Sequence, residues 1–341
     1  MAVTDRTPNQ RDIARAAGVS VSTVSRALSN SAGISGEMRR RIATLAAELG
    51  YSVGERVGPA TEVALFVAMN VFPTTSSGFY QEIVDSIQEE LDRRGVPMET
   101  VFVEGDRSGV ERVAAHCDER SGSGVMLIGI DDPEVLGVAA ERAGAALLVN
   151  GVDPLMRLDG VTPSNRRGAV LATKHLIELG HRRIANVTWL GRPTLRDRLD
   201  GFKSALRDAD LAFDPSLVIE IETLEPEAAY AAARSALASG GIDATAILCG
   251  NDLVAAGVIR ALAEKGLRVP EDYSVVGFDD TRITARLKPS LTTVAVDQRE
   301  IGRLSVARLL DRLRTPTLTP VDIHIGCRLV VRDSTAPLAP A

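Results

Sequence analysis

Residues 9–28, NQRDIARAAGVSVSTVSRAL, hold two short helical patterns joined by a tight turn, and no other stretch narrows the fold as far. Asn9 is placed to cap the first helix, whose inward face carries Ile13, Ala14 and Ala17. Gly18 supplies the left-handed backbone that a sharp turn needs, and Val19 follows as a buried turn residue. The second helix starts at Ser20 or Val21, with Val24 and Leu28 four apart on one face. Its opposite face carries Val21, Ser22, Ser25 and Arg26, short polar side chains and one Arg of a size that suits a DNA major groove. The same spacing also describes an ordinary helical hairpin whose polar face is merely solvated. The next segment, SGEMRRRIATLAAELGY, reads as a third amphipathic helix, with Ile42, Leu45, Ala46 and Leu49 at helical spacing. Ser35 and Met38 give only a partial capping signal, because Glu37 falls one position early for a capping box.

Charge is unevenly spread. Residues 1–56 hold eight Arg against five acids, net +3, while the whole chain carries −6, so the rest carries −9. A basic head on an acidic body fits a local DNA contact without a general affinity for polyanions. The 341 residues, 45% of them hydrophobic, are enough for a large core and for more than one domain. Cys117, Cys249 and Cys327 lie far apart, which argues against a disulfide framework and a zinc site, and the four His add no ligand cluster. The N-terminus has no apolar signal core and no apolar run is long enough to span a bilayer, so a cytoplasmic protein is expected.

From Glu62 onward strands and helices alternate. EVALFVAM, PMETVFVEG, SGVMLIGI and AALLVNG read as strands separated by helical patterns. A second series begins near Val161, with strands at RRIANVTW, SLVIEIE, ATAILCG and YSVVGFDD. Strands apolar throughout imply parallel sheets covered on both faces. Two such lobes form a clamp, since ligands of open parallel sheets sit beyond the carboxyl ends of the strands. LTTVAVD, the helix after it and CRLVVRDS are expected to cross back between lobes as hinges.

With these elements in order, the chain resembles the LacI family of transcriptional regulators over nearly its whole length. AGVSVSTVSRAL is similar to that family's DNA-binding signature and ELGY to the end of its third helix. LIELGHRRIA, the Arg198–Gly201–Phe202 spacing of RDRLDGF, GND at Gly250–Asp252, GLRVPEDYSVVGFDD, PSLTTV and LVVRDST fit its second lobe in the right order. The resemblance implies an α/β fold: a three-helix helix-turn-helix head plus a two-lobed, periplasmic-binding-protein-like core with parallel sheets. Expected bounds are 1–53 for the head, 54–61 for a short linker and 62–341 for the core. Lobe one takes about 62–160 and 292–320, and lobe two about 161–290 and 321–335. The implied protein is a cytoplasmic homodimeric repressor that reads a near-palindromic operator and is controlled by a small molecule between its lobes. It is no enzyme and takes no cofactor or metal.

Residue by residue, the resemblance assigns base reading to Val21, Ser22 and Arg26, and phosphate contact to Ser20, Thr23 and Ser25. Arg26 is the candidate for a bidentate grip on guanine O6 and N7. Ser20 also reads as a plain helix cap. One departure stands out: only Ser52 to Thr61 separate Tyr51 from the first strand, and they include Gly54, Gly58 and Pro59 but no Leu. Gly and Pro oppose a helix, so the family's hinge helix and its minor-groove Leu wedge are not expected here, and Val57 is a poor substitute.

For the effector, the resemblance points to Phe79 and Tyr80 at the start of the first helix of lobe one, where the family has ring-stacking residues. Asn150 ends a strand facing the cleft, and Arg198 matches an Arg that clamps polar ligand groups. Asn251 and Asp279 follow strand ends in lobe two. An aromatic platform with Asn, Asp and Arg suits a sugar or a related polar metabolite. Trp189, at a strand end by the cleft mouth, either narrows the pocket, stacks on the ligand or packs under the neighbouring loop. Phe79 or Tyr80 has a plain core reading, and Asn251 a plain capping one. Asp279 and Asp280 directly after a buried strand need partners. Ser164–Asn165 stands where the family has Asp-Asn, which keeps a helix cap but removes a charge near the crossing between lobes. His181 reads as structural. Two other classes fit the α/β pattern. A transport-type sugar receptor shares the two lobes, but lacks a reason for the helix-turn-helix. An enzyme would need a motif such as GxGxxG, a phosphate loop or a nucleophile elbow, and none is present.

Overall fold

The computed structural model describes residues 10–28, 35–48, 62–69, 78–104, 107–120 and 122–338. The head consists of α1 (Gln10–Ala17), α2 (Val21–Leu28) and α3 (Gly36–Glu48). Its core gathers Ile13, Ala14, Ala17, Val24, Ala27, Ile42 and Ala46, with Val19, Met38 and Leu45 half-buried against it. Gly18 has φ +67°, the left-handed turn that lets α2 fold back on α1. Ser35 Oγ accepts from the Met38 amide at 3.2 Å, so the partial capping signal is a working cap. Asn9, Leu49, Tyr51 and the linker 52–61 lie outside the described residues.

The core begins with β1 (Val63–Ala68), α4 (Phe79–Arg94), β2 (Met98–Val103), α5 (Arg107–Glu119), β3 (Gly124–Ile128), α6 (Pro133–Arg142), β4 (Ala145–Val149) and β5 (Asp159–Pro163). There follow α7 (Asn165–Glu178), β6 (Ile184–Thr188), α8 (Pro193–Asp208), a short 3-10 turn, β7 (Val218–Glu220), α9 (Pro226–Ala238), β8 (Ala246–Cys249), α10 (Asp252–Glu264) and β9 (Ser274–Asp279). The chain ends through β10 (Thr292–Ala295), α11 (Gln298–Arg314), β11 (Asp322–Ile325) and β12 (Arg328–Val330). Two six-stranded sheets result, ordered β11-β5-β4-β3-β1-β2 in lobe one and β12-β10-β9-β8-β6-β7 in lobe two. Every residue of β1, β3, β4, β6, β8 and β9 is buried, as helices on both faces require of such apolar runs. The pairing is parallel except at β12, which runs antiparallel to β10. Among the described residues no helix is long and apolar enough to cross a membrane.

The lobe boundaries differ from expectation at three places. β5 pairs with β4 in lobe one, so the boundary expected at 160 falls inside a strand. β10, expected in lobe one, pairs with β9 in lobe two. β11, expected in lobe two, pairs with β5 in lobe one, His324 opposite Thr162. β5 and β11 were not legible as strands. DGVTP carries a Gly and a Pro, and the DIHI edge strand alternates without an apolar run. The chain therefore crosses between lobes three times, at Ser164, at Val296–Asp297 and at Gly326–Cys327. Asp159 anchors the lobe-one side. It is fully buried and accepts from Arg308 Nε at 3.0 Å, from the Val321 amide at 2.9 Å and from Arg312 Nε. His181 is indeed structural: Nδ1 pairs with Thr245 Oγ1 at 2.8 Å, and Nε2 lies 3.0 Å from Ser274 Oγ and 3.2 Å from the Ala336 carbonyl.

Candidate functional site

In the head, Ser20 Oγ accepts from the Thr23 amide at 3.0 Å and lies 2.8 Å from Thr23 Oγ1, so Ser20 is the N-cap of α2. Val21 stands exposed at 42% on the first turn, and Thr23 is half-buried. Ser22, Ser25 and Arg26 lie on the same helix, and their side chains are outside the described set.

In the core, the strand ends deliver their side chains to the cleft. Phe79, Tyr80, Asn150, Trp189, Arg198, Asn251 and Asp279 all line one cavity of about 420 Å³. The two aromatic rings meet edge to face, centroids 5.1 Å apart; Phe79 is the buried one and Tyr80 the half-buried one. Asn150 sits in the left-handed region, φ 53°, which turns its side chain back from the end of β4. Its Nδ2 donates to Tyr80 Oη at 2.9 Å, leaving buried Oδ1 without a partner. Trp189 both lines the cavity and packs under its loop, because a Cβ on Gly191 would fall 2.2 Å from the indole. Only a glycine permits that approach. Asn251 caps α10 through the Val254 amide at 2.9 Å while also lining the cavity.

Arg198 is buried over the Phe278 ring, 3.6 Å from its centroid. It donates to Asn165 Oδ1 at 2.9 Å, to the Gly250 carbonyl at 2.7 Å and to Asp279 Oδ1 at 3.2 Å. Asn165 in turn donates to Thr162 Oγ1 and the Pro163 carbonyl, both at 3.2 Å, so the clamp reaches the first crossing between lobes. The two acids after β9 each find a guanidinium: Asp279 pairs with Arg198 and Asp280 with Arg332 at 2.6 Å. Burial pushes the Asp279 carboxyl up against the pull of Arg198. Asp252 lies behind it and accepts from the Thr281 amide at 2.7 Å and from Thr293 Oγ1 at 2.6 Å. Burial and the neighbouring Asp279 charge push Asp252 up as well.

The sequence reading missed Arg192, Thr194 and Asp131. Arg192 precedes the Pro at the start of α8 and is buried. It donates Nε to Asp131 Oδ2 at 2.6 Å, Nη1 to Tyr80 Oη at 2.5 Å and Nη2 to the Asn150 carbonyl at 2.8 Å. Every one of these acceptors belongs to lobe one, so a single lobe-two side chain ties the cleft shut. A signal was available: a cation at a helix N-terminus opposes the helix dipole and calls for an anion nearby. Thr194 Oγ1 is buried, lines the cavity and has no partner. The cavity thus presents two unsatisfied polar atoms, Asn150 Oδ1 and Thr194 Oγ1, beside aromatic rings, which is the arrangement of a polar-ligand site.

Comparison with known proteins agrees with this architecture. Residues 10–53 match the family model for bacterial regulatory proteins, lacI family, and residues 173–335 match that for a periplasmic binding protein-like domain. The chain is 30% identical to the HTH-type transcriptional regulator DegA of Bacillus subtilis (strain 168), over 96% of this chain and 98% of the relative. Among solved structures, a transcriptional regulator CelR-cellobiose complex is 30% identical with TM-score 0.74, covering 96% of this chain and 99% of the other. A lac repressor dimer bound to operator and the anti-inducer ONPF is 28% identical with TM-score 0.70, covering 97% of this chain and 100% of that one.

Proposed function

The chain belongs to the lacI family of bacterial regulatory proteins, and from that premise we propose that it is a cytoplasmic repressor released or engaged by a neutral sugar or related polar metabolite. It is a DNA-binding transcriptional regulator, with a helix-turn-helix head and an effector-binding core. In the proposed mechanism, two copies form a homodimer whose α2 helices enter successive major grooves of a near-palindromic operator. Val21, Ser22 and Arg26 read base edges, and Ser20, Thr23 and Ser25 hold phosphates. The effector stacks on Phe79 and Tyr80 and bonds to Asn150, Arg198, Asn251 and Asp279, with Trp189 closing one side.

The observation that carries the effector reading is the cavity itself. Side chains from both lobes converge on it, and Asn150 Oδ1 and Thr194 Oγ1 there are buried polar atoms with no partner within the protein. A ligand that fills it is in contact with both lobes and stabilises one arrangement of them by its differential affinity. No residue set for covalent or acid–base turnover of a sugar is needed for this role. A similar regulator solved in complex with cellobiose supports a carbohydrate as the effector. The test is a gel shift with DNA from upstream of neighbouring genes, run with and without mono- and disaccharides such as ribose and cellobiose. Sequence-specific retardation altered by a sugar is expected; sugar turnover with no retardation would refute the reading.

A further inference from the structure

A second hollow, of about 400 Å³, lies at the first crossing between lobes and shares no lining residue with the effector cavity. Its floor is the start of α7, where Ser164 occupies the N-cap position but makes no side-chain cap bond. Ser164 is only 8% exposed and lines the hollow, and its hydroxyl makes no cap bond to the helix. The amides of Asn165, Arg166 and Arg167 precede the first donor of the helical ladder, the Gly168 amide bonded to the Ser164 carbonyl. Arg166 and Arg167, on that same turn, both line the hollow and are exposed. His324 lines it from β11 in the other lobe.

Two guanidinium groups at a helix N-terminus repel one another and oppose the helix dipole. Such a cluster is satisfied by an anion. Ser164 makes no side-chain cap bond, so the positive end of α7 has no side-chain acceptor from its cap residue. One acid, Asp197, lines the hollow beside the two guanidinium groups. Arg166 and Arg167 outnumber Asp197, so the charged side chains lining the hollow leave it net positive.

We propose that this hollow is a second ligand site, one that takes a phosphate group, free or as a phosphomonoester, and so bridges α7 of lobe two to β11 of lobe one. Phosphate suits the hollow by geometry: its oxygens match the fan of first-turn amides, the Ser164 hydroxyl and two planar guanidinium donors. An occupant touching both lobes at a crossing biases the cleft independently of the effector cavity.

The experiment uses the full chain, titrated by calorimetry with inorganic phosphate at constant ionic strength, and in a second arm with glycerol 3-phosphate against a glycerol control. One saturable site per chain is expected, unaffected by Asp279→Ala and weakened at least about tenfold in Arg166→Gln/Arg167→Gln, the loss of charge-assisted bonds. Tighter binding of glycerol 3-phosphate would identify an organic phosphate as occupant, and equal binding would identify free phosphate. Ser164→Asp, which places a carboxylate at the cap, should raise the melting temperature without phosphate and abolish phosphate binding. Failure to saturate, undiminished binding in the double Arg variant, or loss of binding in Asp279→Ala would each overturn the proposal. None of these results depends on DNA binding or on the sugar.

Discussion

Arg192 and Asp131 meet across the cleft, Nε to Oδ2 at 2.6 Å, and tie lobe two to lobe one. Both side chains are largely buried, at 5% and 17% exposure, so each charge is screened from water and faces its partner. Removing one partner of a buried pair costs about 3–5 kcal/mol, unless the stranded charge regains water. Here it can, by opening of the lobes. Asp131→Ala is therefore expected to give a larger radius of gyration in solution scattering and faster proteolysis in the crossing segments. Identical scattering curves for variant and parent would show that the pair does not control closure.

Trp189 is the sole Trp and lines the cavity, which makes its fluorescence a direct report on occupancy. A sugar that enters should change the emission in a saturable way. Asp279→Ala is expected to weaken that titration by at least about tenfold, because it removes a ligand acceptor and frees Arg198 from its partner. Stopped at that, the variant should still retard operator DNA. Unchanged sugar affinity in Asp279→Ala would take this residue out of the site.

Much of this cavity was legible because its residues follow strand ends, where a parallel sheet must place its ligand. Phe79, Tyr80 and Arg198 came from the family resemblance, whereas Asn150, Asn251 and Asp279 lie at or just past strand ends and could be named from position. Arg192 and Asp131 could not, since neither lies in a recognisable pattern and their meeting depends on how two lobes close. β5 and β11 were missed for a related reason. Their strand character comes from pairing with each other, His324 against Thr162, and not from apolar runs of their own. The same blindness produced the misplaced lobe boundaries, because a strand's lobe is decided by its neighbour in space.

Arg26 lies on α2 at the position assigned to base reading. Arg26→Ala is expected to cost about 1–3 kcal/mol of operator affinity and to relax base preference at one position of each half-site. Selection of binding sites from random DNA checks this. An unaltered preference at every position would remove Arg26 from the reading surface.

His175 and His181 give the core an acid sensitivity. Burial lowers the pKa of both, and His181 is lowered further by His175, while the Ala336 carbonyl partly opposes the shift. His175 Nε2 lies 3.0 Å from Thr335 Oγ1, so both rings hold the C-terminal segment. The unfolded chain then binds protons more readily than the folded one. The stability is fully present above the ordinary histidine value of about 6.5 and is lost as pH falls through the lowered values. Melting temperature should decline on acidification below that point, and His181→Gln should flatten the decline. A parallel pH profile for the variant would refute this origin.

The three crossings have a consequence for how the core comes apart. Helix α11 packs in lobe one, yet it is preceded by a strand of lobe two and followed by one of lobe one. Lobe one cannot complete its sheet without residues that reach it only after the chain has passed through lobe two, and lobe two needs β12 from beyond lobe one. Neither lobe is a contiguous stretch that a ribosome could finish and release to fold by itself. Calorimetry of the core should accordingly show one melting transition for both lobes, and a truncation ahead of β10 should leave two incomplete sheets instead of one intact lobe.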